Sequence, residues 1–466
     1  MSEELFDEDF MDGPEEMDLD EVEEEAAISF TQDDANADPA KLGLTDAQRK
    51  RWSRPAVPAA ALDPSQSTLN MQWLDIDMIG GQPLPANPNP SKRKMVGARA
   101  GQVPVIRIFG VTDAGNSVAA YIHGYTPYGY FGLPDGYEVD GSEENLAEIR
   151  RFLNDRLREK VGGRGGGGGG NAGGANGNDD AAASAFCHGV QYIDDHSSIM
   201  GYSATHTKFL KVFVGMPTMI PKLKTIMESE GHNVPGLRST NGGGGMGCQL
   251  QPFECNVPFV LRFMIDRDIT GAGWLTLPEG TYSLRRNEAQ KQTHCQLEVD
   301  VAFNEIVAHE PEGELNKIAP LRVLSLDIEC QGRKGHFPEA EQDPVIQIAN
   351  AVSVYGNNDG PIVQNVFTLK GCLPIVGAQV IPSDTEEDML LKCRAFLQAA
   401  DADIITGYNV QVSFCDGSLW DGIGECSCDG SLFINMYHLL TSCLHICFPF
   451  RRISISRTCW IVPRPS

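Results

Sequence analysis

Residues 319–330 read Ala-Pro-Leu-Arg-Val-Leu-Ser-Leu-Asp-Ile-Glu-Cys, and their alternation is the strongest constraint on the fold. Side chains of a strand repeat every two residues, so Leu326 and Ile328 share one face while Asp327 and Glu329 share the other. A strand that buries the first face delivers two carboxylates side by side at the second. Like charges this close repel, and a hard divalent cation such as Mg²⁺ relieves the repulsion while keeping positions open for water and phosphate. Strand-borne Asp-x-Glu therefore points to metal-assisted cleavage of a phosphodiester. Taken alone, the tripeptide also fits an ordinary solvated strand end.

The residues that follow predict a sheet with a helix packed on it. The Asp327 strand comes first, then strands over 345–354 and 362–369 joined by the turn Gly356-Asn-Asn-Asp-Gly-Pro361. Ser383-Asp-Thr-Glu386 has the pattern of a capping box. It opens a helix whose buried face is expected to hold Met389, Cys393, Phe396, Leu397 and Ala400. Asp403-Ile-Ile-Thr-Gly407 reads as the returning strand. The result is a βββαβ order over 319–411.

Upstream, residues 101–318 read as an α+β module. Val103–Phe109 and Ser117–His123 alternate like paired strands around a turn at Asp113–Asn116, and Glu144–Lys160 is an amphipathic helix. Phe209–Val214 is read as a strand, Ile220–Glu230 as a helix and Phe259–Ile265 as a further strand. The glycine tract at 162–177 is a flexible insertion, since no Gly-Lys-Ser/Thr closes it into a phosphate loop. Tyr121, Tyr125, Tyr128 and Tyr130 are candidates for stacking on bases, with packing in the core as the alternative. Tyr125 and Tyr128 are taken as the candidate DNA contacts.

The formal net charge of −26 is unevenly spread. Residues 1–40 hold 17 acidic residues and no Lys or Arg, which leaves −9 for the other 426 and does not exclude a nucleic-acid partner. Residues 1–100 are expected to be an acidic, disordered tail and a proline-rich linker. Short basic clusters at Arg49-Lys-Arg51 and Lys92-Arg-Lys94 suit nuclear import. No secretory leader is expected at such an acidic start, and no apolar run reaches the length that crosses a bilayer, so no membrane partner is expected. Of 13 cysteines, six crowd into 412–466, but Cys426/Cys428 and Cys443/Cys447 lack the two-residue spacing of closed zinc sites.

The stretch from Asp327 to Ala349, Asp-Ile-Glu-Cys-Gln-Gly-Arg-Lys-Gly-His-Phe-Pro-Glu-Ala-Glu-Gln-Asp-Pro-Val-Ile-Gln-Ile-Ala, resembles the first exonuclease motif of the family B DNA polymerases. The likeness extends through Phe109–Gly115, Ile122–Tyr128, Phe263–Ile269 and Cys295–Asp300, and ends at Gly407–Gln411. It implies a ribonuclease H-like exonuclease domain over 319–411, preceded by the family's amino-terminal domain, which touches the template. It also implies DNA-templated DNA synthesis in the nucleus, in replication and repair, with 3′→5′ proofreading. Asp327 and Glu329 would be catalytic and metal-binding, in a two-metal Mg²⁺ site. DNA, accessory polymerase subunits and a sliding clamp are the implied partners.

The chain then departs from the family pattern. The third acid belongs to a motif of the form Asn-x-x-x-Phe-Asp; Asn409 is present, but Ser413 and Phe414 stand at the last two positions. The fourth exonuclease motif, the polymerase palm and the cysteines of the family's zinc or iron–sulfur sites are not found. Residues 412–466 are therefore expected to be a non-homologous tail, arising from a retained intron or a truncated gene model or else a genuine lineage-specific extension. Two classes of function compete: an exonuclease-bearing part of a replicative polymerase, whose chain as written is inactive, and a non-catalytic fragment that binds DNA or another subunit.

Overall fold

Strand-forming runs and the helices between them assemble three sheets of three or more strands and a small two-stranded one in the computed structural model. It describes residues 43–81, 103–162, 186–197, 206–240, 249–287, 290–335, 338 and 342–407. Asn409, the glycine tract beyond Gly162, the acidic stretch 1–40 and residues 412–466 lie outside these, as do the expectations made for them.

In chain order, α1 (Asp46–Trp52) is followed by β1 (Leu69–Gly81), β2 (Val103–Thr112), β3 (Ser117–His123), β4 (Tyr128–Gly132) and β5 (Tyr137–Glu138). Next come α2 (Glu143–Gly162), β6 (Cys187–Ser197), β7 (His206–Val214), α3 (Met219–Glu230), β8 (Arg238–Ser239) and β9 (Gln251–Phe253). Helix α4 (Phe259–Asp266) leads to β10 (Trp274–Leu277), β11 (Tyr282–Leu284), β12 (Leu297–Ala302) and β13 (Val307–Ala308). The last group is β14 (Arg322–Cys330), β15 (Val345–Val354), β16 (Val363–Leu369), β17 (Gln379–Ser383), α5 (Glu386–Ala400) and β18 (Ile404–Thr406).

The largest sheet runs β11-β12-β3-β2-β1-β10-β13. Strands β2 and β3 pair antiparallel as their alternation predicts. Strand β1 bulges between Trp73 and Asp75, where Gly110 of β2 lies opposite. A Cβ at Gly110 would stand 2.5 Å from the Gln72 carbonyl oxygen, so the bulge admits only glycine there. One face of this sheet packs on Phe263 and carries Ile106, Ile108, Val118, Ile122 and Val299 in its apolar core.

A second sheet runs β6-β7-β4-β9. Strands and helices alternate as β4-α2-β6-β7-α3-β9, the split βαβ arrangement. Its helical side is closed by Ile149, Leu153 and Leu157 of α2 and by Leu223, Ile226 and Met227 of α3. Each of these burials contributes about 1.5–3 kcal/mol.

The third sheet runs β17-β16-β15-β14-β18. Strands β14, β15 and β16 are antiparallel neighbours. Strand β17 runs parallel to β16, and β18 parallel to β14. Helix α5 buries the expected residues, Met389, Cys393, Phe396, Leu397 and Ala400. The expected turn at Gly356–Pro361 joins β15 to β16, with Asn357 N donating to the Val354 carbonyl at 3.0 Å.

Four expectations are corrected. Residues 43–81 are not tail and linker: α1 begins with a reciprocal Thr45–Gln48 cap, and β1 pairs with both β2 and β10. Residues 259–265 form a helix rather than a strand, because Pro258 stands at its N-cap and Phe259 and Phe263 lie four residues apart on one face. Strand β17 is an addition to the expected order. Ser383 ends that strand, so the cap of α5 falls to Thr385, whose hydroxyl accepts from Asp388 N at 3.2 Å.

Candidate active site

Strand β14 positions the two carboxylates as its alternation requires. Leu324 and Leu326 are buried against α5 and its neighbours, whereas Asp327 and Glu329 are exposed. Asp327 lies opposite Ala349 of β15 and Glu329 opposite Gln347, and the register slips just beyond Glu329. A small residue opposite Asp327 leaves room beside its carboxylate. Asp327 Oδ1 accepts a short-range hydrogen bond from Ile328 N at 3.1 Å. Among the described residues, neither forms an ion pair.

The residues that follow are tied by local bonds. Arg333 bonds the buried Asp343 through its backbone N at 3.1 Å and its Nε at 3.2 Å, and Gln331 N donates to the Pro344 carbonyl at 2.9 Å. Glu386, at the start of α5, accepts from Val345 N at 2.8 Å and fixes where β15 begins. Burial, with Glu386 and Glu329 nearby, raises the Cys330 thiol above its ordinary range, so this cysteine stays protonated. The sequence pattern gave Arg333 and Asp343 no role of their own, although both lie within the Asp327–Ala349 stretch, and it placed Glu386 only in the helix cap.

Two hard oxygen donors on one exposed strand fit a divalent cation in kind and supply two carboxylates. Among the described residues, no cluster of three or more His, Cys, Asp or Glu could hold a metal. Asn409, expected on the turn after β18, lies outside the described residues.

Tyr125 and Tyr128 occupy a different setting. Both rings are buried, and both hydroxyls donate to Asp266 Oδ2 of α4, at 2.8 and 2.5 Å. Tyr125 packs on Phe259, Phe263 and Phe303 with centroids 5.2–5.7 Å apart. The Tyr128 ring lies 3.7 Å from Lys211 Nζ and 5.3 Å from the Arg262 guanidinium carbon. Burial and then the bond to Asp266 push both phenols well above their ordinary range. With Tyr125 packed on α4 and Phe303, Tyr128 covered by Lys211 and Arg262, and both hydroxyls satisfied, these rings join the core shared by the four-stranded sheet and the larger one and leave little face for stacking on a base. Tyr121 is also fully buried, beneath the Arg285 guanidinium at 3.5 Å.

Residues 250–413 match the family model for the DNA polymerase family B exonuclease domain. A DNA polymerase delta catalytic subunit from Arabidopsis thaliana is 36% identical over 394 residues, covering 84% of this chain and 32% of the relative. The Drosophila melanogaster counterpart is 38% identical over 364 residues, 78% of this chain and 30% of its own. The chain belongs to the family B DNA polymerases. It spans about a third of the length of the curated relatives it matches. Among solved structures, the family B DNA polymerase of the archaeon Pyrobaculum calidifontis overlaps 73% of this chain and 30% of its own, with 20% identity and a TM-score of 0.40. The family B exonuclease match takes in all of β14–β18 and α5, and with them Asp327 and Glu329. It ends at residue 413, beside the Val412-Ser413 position where the motif pattern departs.

Proposed function

We propose that this chain serves DNA-templated DNA synthesis as the amino-terminal and exonuclease regions of a replicative, delta-type catalytic subunit, with 3′→5′ proofreading in the nucleus. The observation that carries the reading is the exposed Asp327/Glu329 pair on β14, inside the segment that matches a family B exonuclease domain. The sheet order with α5 on its buried side supports a ribonuclease H-like fold for this part. Asp327 and Glu329 would hold Mg²⁺, and the ion would supply charge neutralisation at the phosphate and a more acidic water. Their own contribution is to present two adjacent anionic donors on a strand too rigid to let them part. DNA is the partner this chemistry requires; accessory subunits and a sliding clamp rest only on the family resemblance of the sequence.

A specific observation favours a second reading, a non-catalytic fragment. Ser413 and Phe414 replace the aromatic and the acid of the next motif, so the third carboxylate is missing from its position. A comparison of residues 412–466 with genomic sequence decides whether that departure is a retained intron. Mg²⁺-dependent release of nucleotides from a single-stranded 3′ end, abolished by Asp327→Ala with Glu329→Ala, is the result expected of an active exonuclease. No release from the chain as written, together with retained DNA binding, selects the fragment.

A further inference from the structure

Helix α1 and the residues after it carry none of the site acids, yet they complete the core beneath them. Trp52 is fully buried and meets Phe396 of α5 edge-on, with ring centroids 5.2 Å apart. Leu44 joins the same cluster, which also holds Leu324, Leu326 and Ile405. The exonuclease sheet therefore borrows part of its hydrophobic core from a segment some 270 residues earlier in the chain.

Arg54 ties this segment to two sheets at once. Its side chain is 1% exposed. Nε donates to Asp401 Oδ2 at 2.6 Å, Nη1 to the Gly115 carbonyl at 2.9 Å, and Nη2 to the Asp401 carbonyl at 2.5 Å and to the Asp403 carboxylate. Gly115 sits in the β2–β3 turn of the seven-stranded sheet; Asp401 and Asp403 lie between α5 and β18. Ser117 of β3 adds a direct bridge, its hydroxyl donating to Asp401 Oδ2 at 2.7 Å.

The same acids set the start of the carboxylate strand. Asp403 Oδ2 accepts from Arg322 N at 2.8 Å, and Asp403 N donates to the Arg322 carbonyl at 2.9 Å. The Arg322 guanidinium turns back to the Trp52 carbonyl at 2.6 Å. From that point β14 and β18 run parallel, pairing Val323 with Ile404, Leu324 with Ile405 and Ser325 with Thr406. Asp327 is the next outward-facing residue after Ser325. With only three pairs, β18 has little ladder of its own to fix its register. Asp401 is moreover held at φ 44°, a left-handed helix end that glycine occupies without strain. An aspartate there keeps a side chain the network uses.

We propose that residues 44–54 are a strap that positions the carboxylate strand, with Arg54 as its pin. Arg54 is a positioning residue: it acts through Asp403, which aligns β14 with β18 and so fixes the register of the strand that presents Asp327. The proposal deepens the exonuclease reading of Asp327 and Glu329 and rests on it for its purpose, though not for its geometry.

The test is hydrogen–deuterium exchange on the full chain, comparing Arg54→Ala, Arg54→Lys and the charge-matched Arg54→Met/Asp401→Asn with the unaltered protein. Arg54→Ala is expected to speed exchange in 322–330 and 401–407 by about tenfold or more, with β7 and α3 unchanged. Arg54→Lys, whose single ammonium cannot reach all three partners, should give a smaller increase in the same segments. The charge-matched variant should restore part of the protection. A uniform increase across every sheet, or no increase in these two segments, would overturn the strap; if Arg54→Ala does not fold, Arg54→Lys alone carries the comparison. Mn²⁺ binding measured on Asp327→Ala with Glu329→Ala is the separate check on the site. Binding that survives that double change counts against the site reading and leaves the exchange result to judge the strap.

Discussion

On β14, Asp327 and Glu329 stand exposed with no ion pair among the described residues, whereas the rings of Tyr125 and Tyr128 are buried and their hydroxyls both end on Asp266 at the surface end of α4. Each region displays residue types suited to nucleic acid, acids for a metal in one and tyrosines for bases in the other. The difference lies in whether the fold has already used them. A buried ring whose hydroxyl is already satisfied within the protein serves packing, and a carboxylate left to solvent is available to a ligand. By that criterion β14 offers the candidate site and the tyrosine layer packs as a joint.

The largest expected effect breaks the joint. Phe263 is fully buried between Tyr125 and the seven-stranded sheet. Phe263→Ala should cost about 3–5 kcal/mol by removing a large side chain from a closed core. A loss below about 1 kcal/mol in urea unfolding would show that the two sheets do not depend on this contact. Asp266→Ala should follow at about 0.5–1.5 kcal/mol, since it removes the acceptor that two hydroxyls share. Tyr128 becoming accessible to modification in that variant, but not in the unaltered chain, is the accompanying sign.

An intermediate effect is expected with pH, in the same part of the molecule. Burial acts to raise the Asp300 pKa, but hydrogen bonds from Arg285 and His123, at 2.6–2.8 Å, outweigh it and hold the carboxyl below its ordinary 3.8. The folded state thus binds this proton less tightly than the unfolded chain does. The stability Asp300 contributes is fully present above its unfolded value and is lost as pH falls through the lower folded one. Melting temperatures followed downward from about pH 5 should fall less steeply in Asp300→Asn than in the unaltered protein. Equal slopes would mean the Arg285–Asp300–His123 contact carries no pH-dependent stability.

Much of this contrast was legible in the sequence, and the omissions have physical causes. The period-two pattern of 323–329 fixes which face of β14 is buried, and helical spacing fixes the buried face of α5, because both elements have one wet side and one dry. The tyrosines could not be assigned in this way: Tyr128 stands on a strand with apolar neighbours on both faces, and only α4 decides that its outer face is covered. Helix α4 itself reads as a strand because Phe, Val and Ile favour sheets, until the i, i+4 spacing of its phenylalanines is weighed against Pro258. Strand β17 escapes notice because Pro382 interrupts it, which an edge position beside β16 tolerates. Trp52 and Arg54 were hidden for a further reason, since their partners lie hundreds of residues away and no local periodicity records a long-range bond.

The smallest expected change in stability belongs to the pair on which the functional reading depends. Asp327→Ala with Glu329→Ala should alter unfolding free energy by no more than about 0.5 kcal/mol per residue, as for exposed side chains without partners. The most direct test is therefore a paired measurement on that double variant: Mn²⁺ binding by electron paramagnetic resonance, and the melting temperature in metal-free buffer. The account predicts weak Mn²⁺ binding by the unaltered chain, its loss in the variant, and coincident melting curves. Undiminished Mn²⁺ binding, or a variant that melts well below the unaltered chain, would contradict it and place Asp327 and Glu329 among the residues that hold the fold together.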